Sequence, residues 1–292
     1  MSAERLRRAL QSLDGLSVGD AFGQRFFTDT ATVAERISLR TLPPAPWQTT
    51  DDTAMALSIV DVLAEHDGID RDRLAERFAA RFVREPWRGY GSGAHEILGR
   101  LARGEAWTSV APGVFGGTGS MGNGGAMRAA PIGAWFADDV PRAALEARRS
   151  AEVTHAHPEG QAGAIAVSVA AAWVAAGAGA PAELFATVLA HMPPGATRTG
   201  IVAAAALSAQ ANVQDAVGRL GNGERVTAQD TVPFTLWCIA RHPGAYEDAL
   251  WTTVSGLGDR DTTCAIVGGI LAADPAVEIP ADWLRAREPL ER

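Results

Sequence analysis

An all-α fold in one domain is what this sequence predicts, and three observations carry the prediction. Of its 292 residues 47% are hydrophobic but only 7% aromatic, and the apolar share is largely alanine, which suits closely packed helices better than sheets of bulky β-branched strands. Apolar residues recur at helical spacing along most of the chain. No strand series, fixed-period repeat or flexible interdomain linker breaks the pattern, so a single domain over residues 1–292, large enough to bury most of its apolar surface, is expected.

The elements follow in order. MSAERLRRAL at the start reads as a charged amphipathic helix without the apolar core of a signal peptide. Helices are predicted over 52–65 and 71–84, with His66 and Asp67 closing the first as a C-terminal cap before Gly68. A Pro-rich break falls at 42–47 and a Gly-rich one at 113–125. Asp139 caps a helix over 141–151, with Pro141 in its first turn. Between Glu159 and Glu183 no residue is charged, a stretch long enough to cross a bilayer. It is mostly Ala and Gly and lacks a Lys/Arg flank or aromatic belt, so a central buried helix over 161–176 is expected and no membrane span. Further helices are predicted over 198–211 and, after a second Gly-rich break at 221–223, over 261–273, where residues 259–262 suit an N-terminal turn.

Composition excludes several chemistries. All 26 basic residues are Arg, so a Walker-type phosphate loop and Schiff-base or PLP catalysis, each needing a lysine, are absent. A net charge of -8 argues against a general nucleic-acid surface, although a local Arg patch could touch phosphates. Cys238 and Cys264 form no CxxC pair, so neither a disulfide framework nor a zinc site is indicated, and a reducing cytoplasm is the expected compartment.

Three constellations carry chemistry. Thr49-Thr50-Asp51-Asp52-Thr53 opens an apolar helix; capping explains one Thr and one Asp, but adjacent carboxylates repel unless solvent or a cation separates them. Asp259-Arg260-Asp261-Thr262-Thr263 opens the helix containing Gly268 and Gly269, a pair that permits close approach of another helix. Two acidic, Thr-bearing helix starts about two hundred residues apart can converge on a two-ion site whose all-oxygen ligands favour Mg²⁺ or Mn²⁺ over zinc. The third, 116–125, satisfies GxGxxG at Gly117, Gly119 and Gly122, yet no strand precedes it and the chain lacks βαβ alternation. A nest of backbone N–H groups able to bind a diphosphate without lysine is the better reading, with Ser120 and Asn123 adding side-chain hydrogen bonds, beside the alternative of an ordinary loop. In THAHPEG at 154–160 one His is expected to contact ligand and the other to be structural, a zinc cluster being the rival.

Taken together these motifs resemble the ADP-ribosylglycohydrolase family. The likeness runs through GLSVGDAFG at 15–23, TTDDTAMAL at 49–57, GSMGNGGAMRAAPIG at 119–133, THAHPEG at 154–160 and GDRDTTCAIVGG at 258–269. It implies a compact orthogonal helical bundle with a two-metal site. Thr50, Asp51, Asp52, Asp259, Asp261 and Thr262 would ligate two Mg²⁺ or Mn²⁺ ions, with Asp261 bridging, and Asp51, Asp52 and Asp261 would be catalytic. Gly119, Ser120, Met121, Gly122 and Asn123 would line the diphosphate and distal ribose, His155 would face the phosphates, and Phe115 would stack on adenine. Where the family commonly places a water-activating Glu, this chain has Phe27; Asp29 or Glu35, or Asp51 and Asp52 with the metals, are the substitutes. The implied activity of a monomeric enzyme is release of ADP-ribose from a modified protein, nucleic acid or small metabolite. The rivals are a phosphohydrolase of ADP-ribose-like nucleotides and a non-catalytic ADP-ribose-binding module.

Overall fold

In a computed structural model that describes residues 2–177 and 179–291, the chain is all-α. Met1, in the N-terminal helix expected from sequence, and Ala178, in the uncharged stretch, lie outside that description. The described residues form α1 (Ser2–Gln24), α2 (Thr30–Leu39), α3 (Asp51–His66), α4 (Arg71–Arg84), α5 (Ser92–Ala102), α6 (Trp107–Gly113), α7 (Gly124–Met127), α8 (Ala130–Trp135), α9 (Val140–Glu152), α10 (Pro158–Ala175), α11 (Pro181–His191), α12 (Ala196–Ala205), α13 (Val213–Leu220), α14 (Ala228–Arg241), α15 (Tyr246–Val254), α16 (Arg260–Leu271) and α17 (Ala281–Ala286). Two isolated β-bridges, Trp47 with Arg287 and Gly122 with Thr227, are the only strand-like pairings among them.

Caps explain why the predicted elements start and stop where they do. Asp70 accepts from the N–H groups of Asp72 and Arg73 at the start of α4, and Asp139 accepts from Arg142 N–H at the start of α9. Asp67 closes α3 with φ 53°, its N–H donating to Leu63 O, so the His66-Asp67 pair is a cap as expected. The helix predicted over 198–211 ends earlier, at Ala205. Its alanine pattern carries no stop signal, but Ser208 Oγ accepts from Gln210 N–H at 3.2 Å, a local bond that competes with helical pairing.

The core is organised around α10, apolar on all sides and buried along most of its length. No helix among the described residues is long and apolar enough to cross a membrane. What positions the site is the pairing of α1 with α16. Gly15, Gly19 and Gly23 stand one turn apart on α1, and a Cβ at each would fall against the backbone carbonyls of Gly268, Cys264 and Arg260 respectively. The partners descend as α1 ascends, so the two helices run antiparallel with their backbones in contact. Tyr246 Oη donates to Gly15 O at 2.6 Å, and Ser12 Oγ to Gly269 O at 2.7 Å, tying down the same seam. Its far end rests on an aromatic box in which Phe22 stacks on Trp283 with ring centres 4.5 Å apart, and Phe26, Trp47 and Trp251 close the sides. Burying five large rings beneath one end of α1 fixes its height against α3 and α16.

Candidate active site

The seam sets Asp20 of α1 beside the first turns of α3 and α16. Asp20 is fully buried. Its Oδ2 accepts from Thr50 N–H at 2.9 Å, Thr53 N–H at 3.2 Å and the Thr53 hydroxyl, so one carboxylate oxygen satisfies donors that the start of α3 leaves free. Thr50 Oγ1 lies 2.9 Å from both Asp20 Oδ1 and Asp52 Oδ2. A hydroxyl has one proton, so the second contact is oxygen against oxygen unless a carboxyl is protonated or a cation intervenes. Asp20, Asp52 and Asp261 each offer an oxygen within 4.8 Å of the other two. Thr262 Oγ1 reaches Asp52 Oδ2 at 3.5 Å, and Thr262 N–H donates to Asp261 Oδ1 at 2.9 Å.

For the protein groups alone this corner is electrostatically unfavourable. Burial, then the charge of Asp20, pushes the Asp51 carboxyl up to about 7; burial pushes Asp20 up to about 6 against the hydrogen bonds of Thr53 and Thr50. Asp52 and Asp261 are raised well above the ordinary range, chiefly by burial and then by neighbouring carboxylates, Asp20 for the former and Asp259 for the latter. Asp52 Oδ1 is buried with no hydrogen-bond partner. An orphaned carboxylate oxygen among three carboxyls and two threonine hydroxyls is a set of hard oxygens that could hold a hard cation, rather than a metal that prefers nitrogen or sulfur. Asp20 has its oxygens occupied by Thr50 and Thr53, which suits it to hold the start of α3 in place.

The second half of the site is the loop between α6 and α7. It is compact: Phe115, Gly116, Gly117 and Gly119 all have positive φ, and a Cβ on Gly119 would stand 2.7 Å from His157 N. The nest expected there is smaller than the sequence suggests. The N–H groups of Gly117 and Gly119 donate to Val114 O, that of Thr118 to Phe115 O, that of Gly122 to Ser120 Oγ and that of Asn123 to Val226 O. Five donors are thus spent on closing the loop. Those of Ser120 and Met121 have no intramolecular acceptor among the described residues. His155 lies beneath, buried, its Nδ1 2.7 Å from Thr154 Oγ1. His157 instead caps α10, Nδ1 accepting from Glu159 N–H at 3.1 Å, so of the two histidines one is structural. Phe115 is 59% exposed, its ring against Gly93.

Asn123 joins the halves. Its Nδ2 donates to Asp259 Oδ2 at 2.7 Å and to Thr231 Oγ1 at 3.1 Å. The structure therefore brings Thr50, Asp52, Asp261 and Thr262 into direct contact or common reach, with Asp259 tied to the loop and Asp51 half-buried beside Asp52. Phe27 is half exposed, with the Arg260 guanidinium 4.8 Å above its ring. Asp29 is an exposed cap of α2, accepting from Thr32 N–H, and Glu35 is exposed on that helix; neither belongs to the carboxylate cluster. Sequence reasoning gave no role to Asp20 or Arg128. A lone acid in the apolar run GLSVGDAFG was the available signal for the first, because a buried charge requires partners.

Comparison with known proteins gives the family and the fold. The model of the ADP-ribosylglycohydrolase family matches residues 1–292. The ADP-ribosylhydrolases ARH3 of Mus musculus and Homo sapiens are each 28% identical to this chain over 99% of it, covering 90% and 92% of their own lengths. A solved structure described as an ADP-ribosylglycohydrolase-related protein complex superposes with a TM-score of 0.71 at 26% identity, covering 98% of this chain and 94% of that one. The chain belongs to the ADP-ribosylglycohydrolase family.

Proposed function

We propose that this chain is a Mg²⁺-dependent hydrolase that cleaves the bond between C1 of the distal ribose of ADP-ribose and a modified target. The observation that supports it most is the Asn123–Asp259 bond, which joins a hard-cation corner to a loop suited to an anionic ligand. In this reading Thr50, Asp51, Asp52, Asp259, Asp261 and Thr262 hold two ions, with Mn²⁺ as substitute. Bound there, the cations would polarise ribose hydroxyls and lower the pKa of a water. Ser120 and Met121 N–H groups, the Asn123 side chain and His155 orient the diphosphate and ribose, with Gly119 and Gly122 admitting them closely, and Phe115 offers an exposed face to adenine. Asp51, half-buried and raised by burial and Asp20, is in this reading the carboxylate that accepts the proton of the attacking water. With Phe27 in the family's Glu position, that task falls to the aspartates.

The test is incubation with arginine-, serine-, nucleic-acid-linked and acylated ADP-ribose in Mg²⁺ and in EDTA, with products identified by mass. Intact ADP-ribose released from one linkage in Mg²⁺ alone is the expected result. Release of AMP would identify a phosphohydrolase, and tight binding of every probe without turnover a binding module.

A further inference from the structure

We propose that Arg128 and Thr154 are positioning residues that hold His155 as a neutral imidazole protonated on Nε2, so that the ring serves bound ligand only as a hydrogen-bond donor. Arg128 is fully buried. Its guanidinium lies 4.5 Å from the centre of the Phe78 ring, and Nη2 donates to Ser150 O at 3.1 Å and to Thr154 Oγ1 at 2.8 Å. A guanidinium has no acceptor, so Thr154 Oγ1 must accept from it. The hydroxyl's own proton then has one partner among the described residues, His155 Nδ1 at 2.7 Å. Nδ1 is therefore the acceptor, and the ring's single proton is on Nε2. A cationic ring would set Nδ1–H against a hydroxyl whose proton has no acceptor, beside a buried positive charge. Burial, then the charge of Arg128, accordingly pulls His155 down to about 3.

The free end of the ring faces the glycine loop. A Cβ on Gly122 or on Gly124 would stand 3.4 Å from Nε2, so it is the missing side chains that leave the donor open, and Nε2 has no intramolecular acceptor among the described residues. The partner of a fixed, uncharged N–H in this place is an acceptor-only oxygen, such as that of a phosphate. The tautomer stands on the protein's own geometry; that Nε2–H meets a phosphate oxygen rests on the ADP-ribosyl reading above. It follows that His155 neither takes nor gives the proton of the reaction, and that Arg128 acts on the ligand through two intervening groups.

The experiment is a long-range ¹H–¹⁵N spectrum of histidine-labelled protein at pH 7 without ligand, His155 being assigned by its loss in His155→Gln. The expected wild-type signature is an unprotonated Nδ1 and a protonated Nε2. Thr154→Val, which keeps shape and removes the hydroxyl, should give a mixture of tautomers; Thr154→Ser should restore the single form. In ADP-ribose titrations Thr154→Val should weaken Kd about tenfold and Thr154→Ser should recover it, with the loss in KM and not in kcat. A wild-type ring carrying its proton on Nδ1, or on both nitrogens, overturns the proposal, and so does a Thr154→Val ring that keeps the wild-type form. The wild-type spectrum decides even if Thr154→Val fails to fold. The predicted spectra together with no ADP-ribose binding by the wild type would leave the positioning chain standing and sink the ADP-ribosyl reading.

Discussion

The two halves of the site are built on opposite principles. The carboxylate corner has more charge than its surroundings can satisfy: Asp20, Asp51, Asp52 and Asp261 are all pushed upward, and a buried oxygen of Asp52 lacks a partner. The glycine loop has almost no charge of its own, and spends five of its N–H groups on its own closure. The difference separates where binding free energy is stored. The crowded corner gains stability when a metal ion or a proton arrives, whereas the loop is closed by its own bonds and holds its few open donors at fixed positions.

The largest effect should come from breaking the charged half. Asp52→Asn and Asp261→Asn each remove a carboxylate proposed to hold the metal, at nearly constant volume, and turnover should fall by roughly 10³ or more, about 4 kcal/mol in the barrier. In EDTA the same variants should melt no lower than the wild type, because each relieves like-charge repulsion. Turnover within threefold of wild type in both would remove these residues from the site.

Next in size is the linkage between metal, proton and fold. Free Mg²⁺ at about 100 Kd should stabilise by roughly 2.7 kcal/mol for each independent ion, several degrees in Tm for a chain of this length. The pH dependence gives the sign. A carboxyl raised on folding holds its proton more tightly in the native state, so its stabilisation is present at low pH and lost as pH rises through the folded value. With Asp20 raised to about 6 and Asp51 to about 7, stability in EDTA should fall between about pH 5 and 8. Millimolar Mg²⁺, which binds the ionised forms, should cancel or reverse that slope, with K⁺ at matched ionic strength as control. Melts in EDTA that rise with pH over this window would contradict the crowded-carboxylate picture.

How much of this was legible in sequence depended on distance along the chain. The starts of α3 and α16 were readable because acids and hydroxyls at a helix start are local, as were Asp67 at the end of α3 and the structural role of one histidine of the 155/157 pair, which is His157 at the cap of α10. Asp20 was not, since its meaning depends on Gly15, Gly19 and Gly23 setting α1 against α16, whose carbonyls lie more than two hundred residues away. Arg128 was equally hidden: its partners are a backbone oxygen, a threonine hydroxyl, the Met55 sulfur and the Phe78 ring, and none of them marks a buried cation in sequence. The loop was recognisable as a loop, but its hydrogen bonding was not: four of its N–H groups are consumed by Val114, Phe115 and Ser120, and the fifth, that of Asn123, by Val226 O on a segment about a hundred residues further along the chain.

The smallest expected effect sharpens the comparison most, because it concerns a residue outside both halves. Glu288, in the C-terminal tail, accepts from Thr49 N–H at 2.9 Å and from Thr49 Oγ1 at 2.7 Å, and it pairs with Arg88. Arg88 donates to Thr49 O at 3.1 Å, while its own carbonyl accepts from Asp51 N–H at 2.7 Å. The tail is latched by Trp47 N–H to Ala286 O and Glu288 N–H to Trp47 O. Against the cost of burial, the bonds from Thr49 and Arg88 hold the Glu288 carboxyl below its ordinary value. Glu288 and Arg88 thus clamp the residues before Thr50 and Asp51 and touch nothing in the glycine loop. Glu288→Gln keeps an acceptor for Thr49 but loses the charge facing Arg88, a partly exposed pair worth about 1 kcal/mol or less. Mg²⁺ affinity measured by calorimetry should fall by about threefold to fivefold, and the His155 ring spectrum should not change. If the ring spectrum moved and the Mg²⁺ affinity did not, the clamp would be acting on the loop, and the two halves would not be separable.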